Sequence, residues 1–206
     1  MKEKYSKEEI KSRAEKLSSL GGIQPHAEVF YIYSILYSSD RCLEAFKRYD
    51  QMKIGNDSAS VLISTVQEAI AHAAALSRFF WPSEIGGKNT NEMGKLKRQR
   101  AEKLREKFDL NDTSVLKNRN LRNAWEHFDE KLDYYLLQNE AGYFFPTPLI
   151  DDHTLADDPV GKIFKLLDPV NECFVLLNEK YFYNSIREEV QKIYNKALSK
   201  AKNERL

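Results

Sequence analysis

A chain of 206 residues that is 42% hydrophobic and 31% charged can bury one full core, and it is too apolar for a disordered segment. Its formal net charge of +1 excludes a global field for nucleic acid or an anionic membrane, so any such contact must come from a local patch. The charged first residues lead into no apolar run, no stretch approaches a membrane span, and Cys42 and Cys173 match no metal or redox spacing, so a cytoplasmic chain with two reduced thiols is expected.

Ser6 and Glu9 stand at the spacing of a capping box and open a short polar helix that ends before Gly21-Gly22. Pro25 suits a helix first turn, and from there to about Met52 the chain reads as one helix. Val29, Phe30, Ile32, Tyr33, Leu36, Tyr37, Leu43, Phe46 and Tyr49 make its apolar face wide enough to predict a central place in a bundle. Asn56 or Asp57 can cap the next helix, with a body from Val61 to Phe80 and apolar positions at Leu62, Thr65, Val66, Ala69, Ala73, Leu76 and Phe80. Trp81-Pro82 and Gly86-Gly87 stop it. A basic helix follows from about Glu92 to Phe108, and after a cap region at Asp109–Asp112 one long helix is predicted to about Gln138.

Beyond Gly142 the pattern changes. Residues 142–161 hold three of the six prolines and several aspartates, and they read as loop. Ile163–Leu167 and Cys173–Leu177 flank Asp168-Pro169-Val170-Asn171, where Asp and Pro in the first two places predict a type I turn and a β-hairpin. Ser185 and Glu188 form a second capping-box pattern, opening a last helix with Ile186, Val190, Ile193, Ala197 and Ala201 on one side. The expected fold is mainly α: a helical bundle over 1–141, then over 142–206 a loop, a small C-terminal β-hairpin and a closing helix packed on the bundle.

The stretch that carries chemistry lies on the long predicted helix. At 100° per residue, Leu121, Trp125, Phe128, Leu132 and Tyr135 form a narrow core stripe, and Asn123, Glu126, His127 and Glu130 fall on the polar side. Asn123 and His127 are neighbours one turn apart, whereas Arg122 lies about 140° around the axis from His127. Only the long arginine arm or a second subunit would bring the two together.

Leu121 to Glu130, Leu-Arg-Asn-Ala-Trp-Glu-His-Phe-Asp-Glu, resembles the signature of the HEPN family: an arginine, a polar residue, three variable residues and a histidine on a late helix of a bundle. Arg122, Asn123 and His127 stand at the three signature positions, and the resemblance covers roughly residues 25–140 as an HEPN-like core; the hairpin and last helix lie outside it. Many HEPN proteins are metal-independent endoribonucleases that act as dimers, some as toxins or in defence. The resemblance therefore implies a homodimer, RNA as substrate, a protein antitoxin or other partner, and neither a cofactor nor a metal nor a membrane. His127 would be general acid or base around the 2′-hydroxyl and leaving oxygen, Arg122 would hold the scissile phosphate, and Asn123 would orient His127 or the phosphate. Glu126 and Glu130 beside such a site need an arginine to offset them. The alternative is a non-catalytic HEPN-like module that binds a nucleotide or a protein partner; the bland reading is a surface Arg122–Glu126 pair and a solvated His127.

The other signals are weaker. Lys95, Lys97, Arg98, Arg100, Lys103, Arg105 and Lys107 concentrate positive charge on one helix, and Lys97, Arg98, Arg100 and Arg105 are the candidates for steering RNA through phosphate contacts. Glu68 and His72 are one turn apart near the edge of an apolar face and would form a buried polar pair. Asp151, Asp152, His153, Asp157 and Asp158 are carboxylate-rich but lack a glycine-turned calcium loop, and read as a plain acidic loop.

Overall fold

A computed structural model describes residues 5–55, 57–82 and 92–203. The described residues form seven α-helices and two small sheets, so the protein is mainly helical. Helix α1 (Lys7–Ser18) opens on the predicted box: Ser6 Oγ accepts from Glu9 N, and Glu9 Oε2 accepts from Ser6 N at 2.8 Å. The chain leaves it through Gly21 and Gly22, both at positive φ. At Gly22 any Cβ would lie 2.7 Å from the Arg100 backbone nitrogen, so the turn can rest directly on the helix that carries Arg100. Pro25 opens a short 3-10 turn (Pro25–Ala27) rather than the helix itself, and α2 (Glu28–Gly55) begins after it.

Helix α2 packs against α3 (Ala59–Phe80) and against α7 (Asn184–Asn203). Ile35, Cys42, Phe46 and Tyr49 of α2, Val66, Ala73, Leu76 and Phe80 of α3, and Val190, Ile193 and Ala197 of α7 belong to one continuous core. Each such large apolar side chain contributes roughly 1.5–3 kcal/mol by leaving water. Tyr183, just ahead of α7, stacks on Phe46 at 5.9 Å, and its hydroxyl donates to that of Tyr49 at 3.1 Å. The wide apolar face of α2 is central only in part, because Phe30, Tyr33 and Tyr37 stay exposed. Helix α3 is long and apolar enough to cross a membrane by composition, with mean hydropathy 1.3; its apolar positions are instead the middle of this core. Ser58 occupies the position ahead of α3, one residue beyond Asp57, and makes no side-chain cap. Asn56 and Gly86-Gly87 lie outside the described residues.

Helix α4 (Glu92–Phe108) lies against α3 and α1. The predicted long helix does not exist as one piece. It is a 3-10 turn (Val115–Lys117), then α5 (Asn120–Glu126), then α6 (Phe128–Gln138).

The predicted loop also contains strands that the prolines and aspartates obscured. Strand β1 (Tyr143–Phe145) pairs in parallel with β3 (Gly161–Ile163), and β2 (Leu149–Ile150) pairs in parallel with β4 (Lys165–Asp168). Strands β4 and β5 (Cys173–Leu176) are the expected hairpin, with Asp168 facing Cys173, and β6 (Glu179–Phe182) extends the sheet in the order β2-β4-β5-β6. Ser185 is not a cap but the second residue of α7, whose first turn is received by the Tyr183 carbonyl.

Asp168 holds this sheet end together from a nearly buried position. Its Oδ1 accepts from the backbone of Val170 and Asn171, and its Oδ2 from the backbone and Nδ1 of His153 and from Asn171 Nδ2, between 2.7 and 3.1 Å. Burial alone would raise the carboxyl pKa; the bonds from Asn171 and His153 outweigh it and hold the group well below the usual carboxylate range. Asp168→Ala is expected to lower the unfolding free energy by about 3 kcal/mol in urea titrations at neutral pH. Because the native pKa is the depressed one, the stabilisation exists above the unfolded value of about 3.9 and disappears as pH falls from there toward the native value. Wild type should therefore lose more stability than the variant on acidification, and equal acid slopes would show that the bonded carboxylate contributes nothing.

Candidate functional site

The break between α5 and α6 falls on the motif histidine. His127 has φ −116° and ψ 37°, closing α5 and opening α6 without a side-chain cap. No glycine or proline stands there; aromatic docking flanks it on both sides. Trp125 stacks on Phe174 of β5 at 4.3 Å, and Phe128 meets Phe164 edge-on at 5.4 Å. The wheel angle drawn for an unbroken helix therefore does not describe Arg122 and His127. His127 is 59% exposed in its side chain, with Nδ1 3.7 Å from Glu130 Oε2.

Arg122 is the opposite case. Its side chain is only 13% exposed. Nη2 donates to Asn123 Oδ1 at 2.8 Å, so Asn123, expected from the sequence to orient His127 or the phosphate, is bonded here to the arginine. Nε lies 3.3 Å from Glu126 Oε2 but finds no aligned acceptor among the described residues, and Nη1 finds none there either. Trp125 Nε1 is likewise buried without an acceptor among the described residues. Arg122 and Trp125 line the same cleft between α3 and α5, of about 300 Å³. Small side chains at Ala71, Ala74 and Ala75 of α3 leave this space open, and Arg78 and Glu126 also line it. Glu126 bridges the two arginines, with Oε1 3.2 Å from Arg78 Nη2. Arg119 does not line the cleft but is close enough to both arginines to feel their charge. Burial first, then its neighbours Arg122 and Arg78, press its pKa below the usual value. A cleft lined by two guanidiniums and one carboxylate has donors in excess of acceptors, which suits an oxyanion such as phosphate.

Arg78 and Arg119 were not legible as site residues, since each comes from a different element and neither lies in a motif. Two of the basic-helix candidates have other work. Arg105 Nη1 donates to the Phe80 carbonyl at 2.6 Å and Arg100 Nη2 to the Arg78 carbonyl at 3.4 Å, while Arg119 donates to the Trp81 carbonyl. Three arginines thus close the carboxyl end of α3. Lys97 is partly exposed and Arg98 exposed on α4. Glu68 and His72 are not a buried pair: both are partly exposed, 3.9 Å apart, and Glu68 bonds Arg48 at 2.5 Å.

Asp152, His153 and Asp168 bring their ligand atoms within 4.8 Å of one another. Asp168 already accepts from five donors, and Asp152 Oδ1 from Thr154 N at 2.7 Å, so the set is explained as turn structure. Asp157 pairs with Lys180 at 2.6 Å, and Asp158 Oδ1 accepts from Val160 N at 3.0 Å. Both cysteines are free and buried, and burial pushes the Cys42 thiol up to about 12 and that of Cys173 up to about 11.

Comparisons with known protein families, with curated proteins and with solved structures find no match to this chain. The site therefore stands on its own geometry. That geometry makes Glu126 the internal competitor of any anion in the cleft. Glu126→Gln is expected to tighten binding of inorganic phosphate about fivefold at low salt, less at high salt, as read from arginine Nε–Hε resonances during titration. Unchanged affinity would mean that the phosphate does not meet these guanidiniums.

Proposed function

We propose that the protein is an HEPN-like endoribonuclease that works as a homodimer without a metal ion. The observation that carries this reading is the sheltered Arg122 guanidinium, short of acceptors beside Arg78 and Arg119, on the short helix that ends at the exposed His127. In this reading Arg122 binds the non-bridging oxygens of the scissile phosphate and stabilises the charge that builds up there. His127 removes the proton of the 2′-hydroxyl as its oxygen attacks phosphorus, or protonates the departing 5′-oxygen. The products are a 2′,3′-cyclic phosphate and a 5′-hydroxyl. The dimer supplies a second His127 for the complementary proton transfer. Asn123 sets the arginine, and Glu126 neutralises it until substrate arrives. A toxin or defence role, restrained by an antitoxin or other protein partner, fits such an activity, as does the cytoplasm, where two buried thiols stay reduced.

One feature favours a second reading. Glu126 already sits between Arg78 and Arg122, and His127 has Glu130 beside it, as in a module that binds a nucleotide or a partner without cutting. Incubation of varied RNAs with purified protein in EDTA separates the two. Wild type is expected to leave 2′,3′-cyclic ends; His127→Ala and Arg122→Ala are each expected to lose activity by about a hundredfold or more, and Arg122→Lys to recover little of it. Intact RNA in the presence of folded, dimeric wild type would favour the binding module.

A further inference from the structure

A second cleft opens between α6 and the β5–β6 hairpin, with a volume of about 390 Å³ and no lining residue in common with the cationic one. That size is within the range of clefts that hold small organic ligands. Leu176 and Leu177 supply apolar wall, and three tyrosines surround it. Two of these rings are fixed by their hydroxyls. Tyr135 donates to Asn178 Oδ1 at 2.6 Å, and Tyr181 donates to Glu179 Oε2. Asn178 is itself pinned, accepting from Ile163 N at 2.8 Å and donating to the Gly161 carbonyl at 2.9 Å. Tyr134 is 64% exposed and also lines the cleft.

The polar groups select the ligand. The lining holds two carboxylates, Glu130 and Glu179, against one ammonium, Lys131, so the interior of the cleft favours a neutral donor group over an anion. Lys131 Nζ lies 3.3 Å from Glu179 Oε2, the same oxygen that accepts from Tyr181. Both of these bonds to Glu179 fall on Oε2, its Oε1 has no partner among the described residues, and the side chain is 63% exposed, which leaves Oε1 for an N–H donor. A nucleobase is a flat group that can stack on tyrosine and offer N–H donors to a carboxylate. Guanine presents adjacent N1–H and N2–H donors beside O6 on its Watson–Crick edge, and both can reach one oxygen, whereas adenine, cytosine and uracil have no two adjacent donors there. The cleft also adjoins the motif: Glu130 lines it and lies 3.7 Å from His127 Nδ1.

We propose that this tyrosine-lined cleft binds a guanine base, stacked on the rings and hydrogen-bonded through Glu179. Its role as the base subsite of a cleaved RNA rests on the ribonuclease reading; binding of the base does not.

Methyl resonances of Leu176 and Leu177, followed while guanosine, adenosine, cytidine and uridine 5′-monophosphates are added, test the proposal. Guanosine monophosphate is expected to shift both leucines and to bind about tenfold or more tighter than the other three. Glu179→Gln should erase that preference, and Tyr134→Ala, at an exposed position that leaves the fold intact, should weaken binding about tenfold. Equal affinity for all four nucleotides, no shift at millimolar guanosine monophosphate, or binding indifferent to both substitutions overturns the proposal. If guanosine monophosphate binds as expected while RNA stays whole in EDTA, the ribonuclease reading fails and the base site stands. If RNA is cut with the same sequence preference by wild type and Glu179→Gln, the base subsite fails and the ribonuclease reading stands.

Discussion

The carboxyl end of α3 is the knot on which the candidate site depends. A helix end leaves carbonyls without intrahelical partners, and here three of them, those of Arg78, Phe80 and Trp81, receive guanidiniums from Arg100, Arg105 and Arg119. The donors come from α4 and from the residue that precedes α5, so one helix terminus fixes two further elements. Positive charge at a helix carboxyl end is also favourable against the helix dipole, which makes it tolerable to crowd several arginines there. Arg119 belongs to both groups: burial first, then Arg122 and Arg78, lower its pKa, and Glu126 offsets part of this. It thus links the arginines that finish α3 to the pair, Arg78 and Arg122, that lines the cleft.

How much of this was legible in the sequence depended on whether the signal was local. The box at Ser6 and Glu9, the reach of α3 to Phe80, the span of α4 and the turn at Asp168 are all decided by residues within a few positions of one another, and they formed as read. The break at His127 was not legible, because no breaker residue marks it and the forces beside it come from Phe174 and Phe164, far along the chain. Strands β1 and β2 were hidden for the same reason: each is short, and each pairs in parallel with a segment more than a dozen residues later. The motif arginine was legible, but its company was not. Arg78 and Arg119 read as ordinary helix positions until the fold sets them near Arg122. The alanines that make room for the cleft read only as a packing face.

The two clefts divide the labour of recognition along the α5–α6 segment. One is short of acceptors and rich in cations; the other is walled by tyrosine rings and carries carboxylates. Phosphate contacts carry no sequence and stacking is tolerant of base identity, so in the proposed guanine site the discrimination rests on the Glu179 carboxylate. If the two proposals hold, the cationic cleft would meet the phosphate and the tyrosine cleft the base, and His127, at the break, belongs to the same short segment that lines both.

The closure of the core by α7 also bears on how the chain reaches its native state. The Tyr183–Tyr49 hydrogen bond joins residues 134 positions apart, whereas the sheet residues from Tyr143 to Phe182 find their partners close by. Loop closure over such a span is slow compared with local pairing. The Tyr183 ring that packs on Phe46 and Tyr49 is therefore, with α7, the last part of this core to arrive, long after α2 can meet α3.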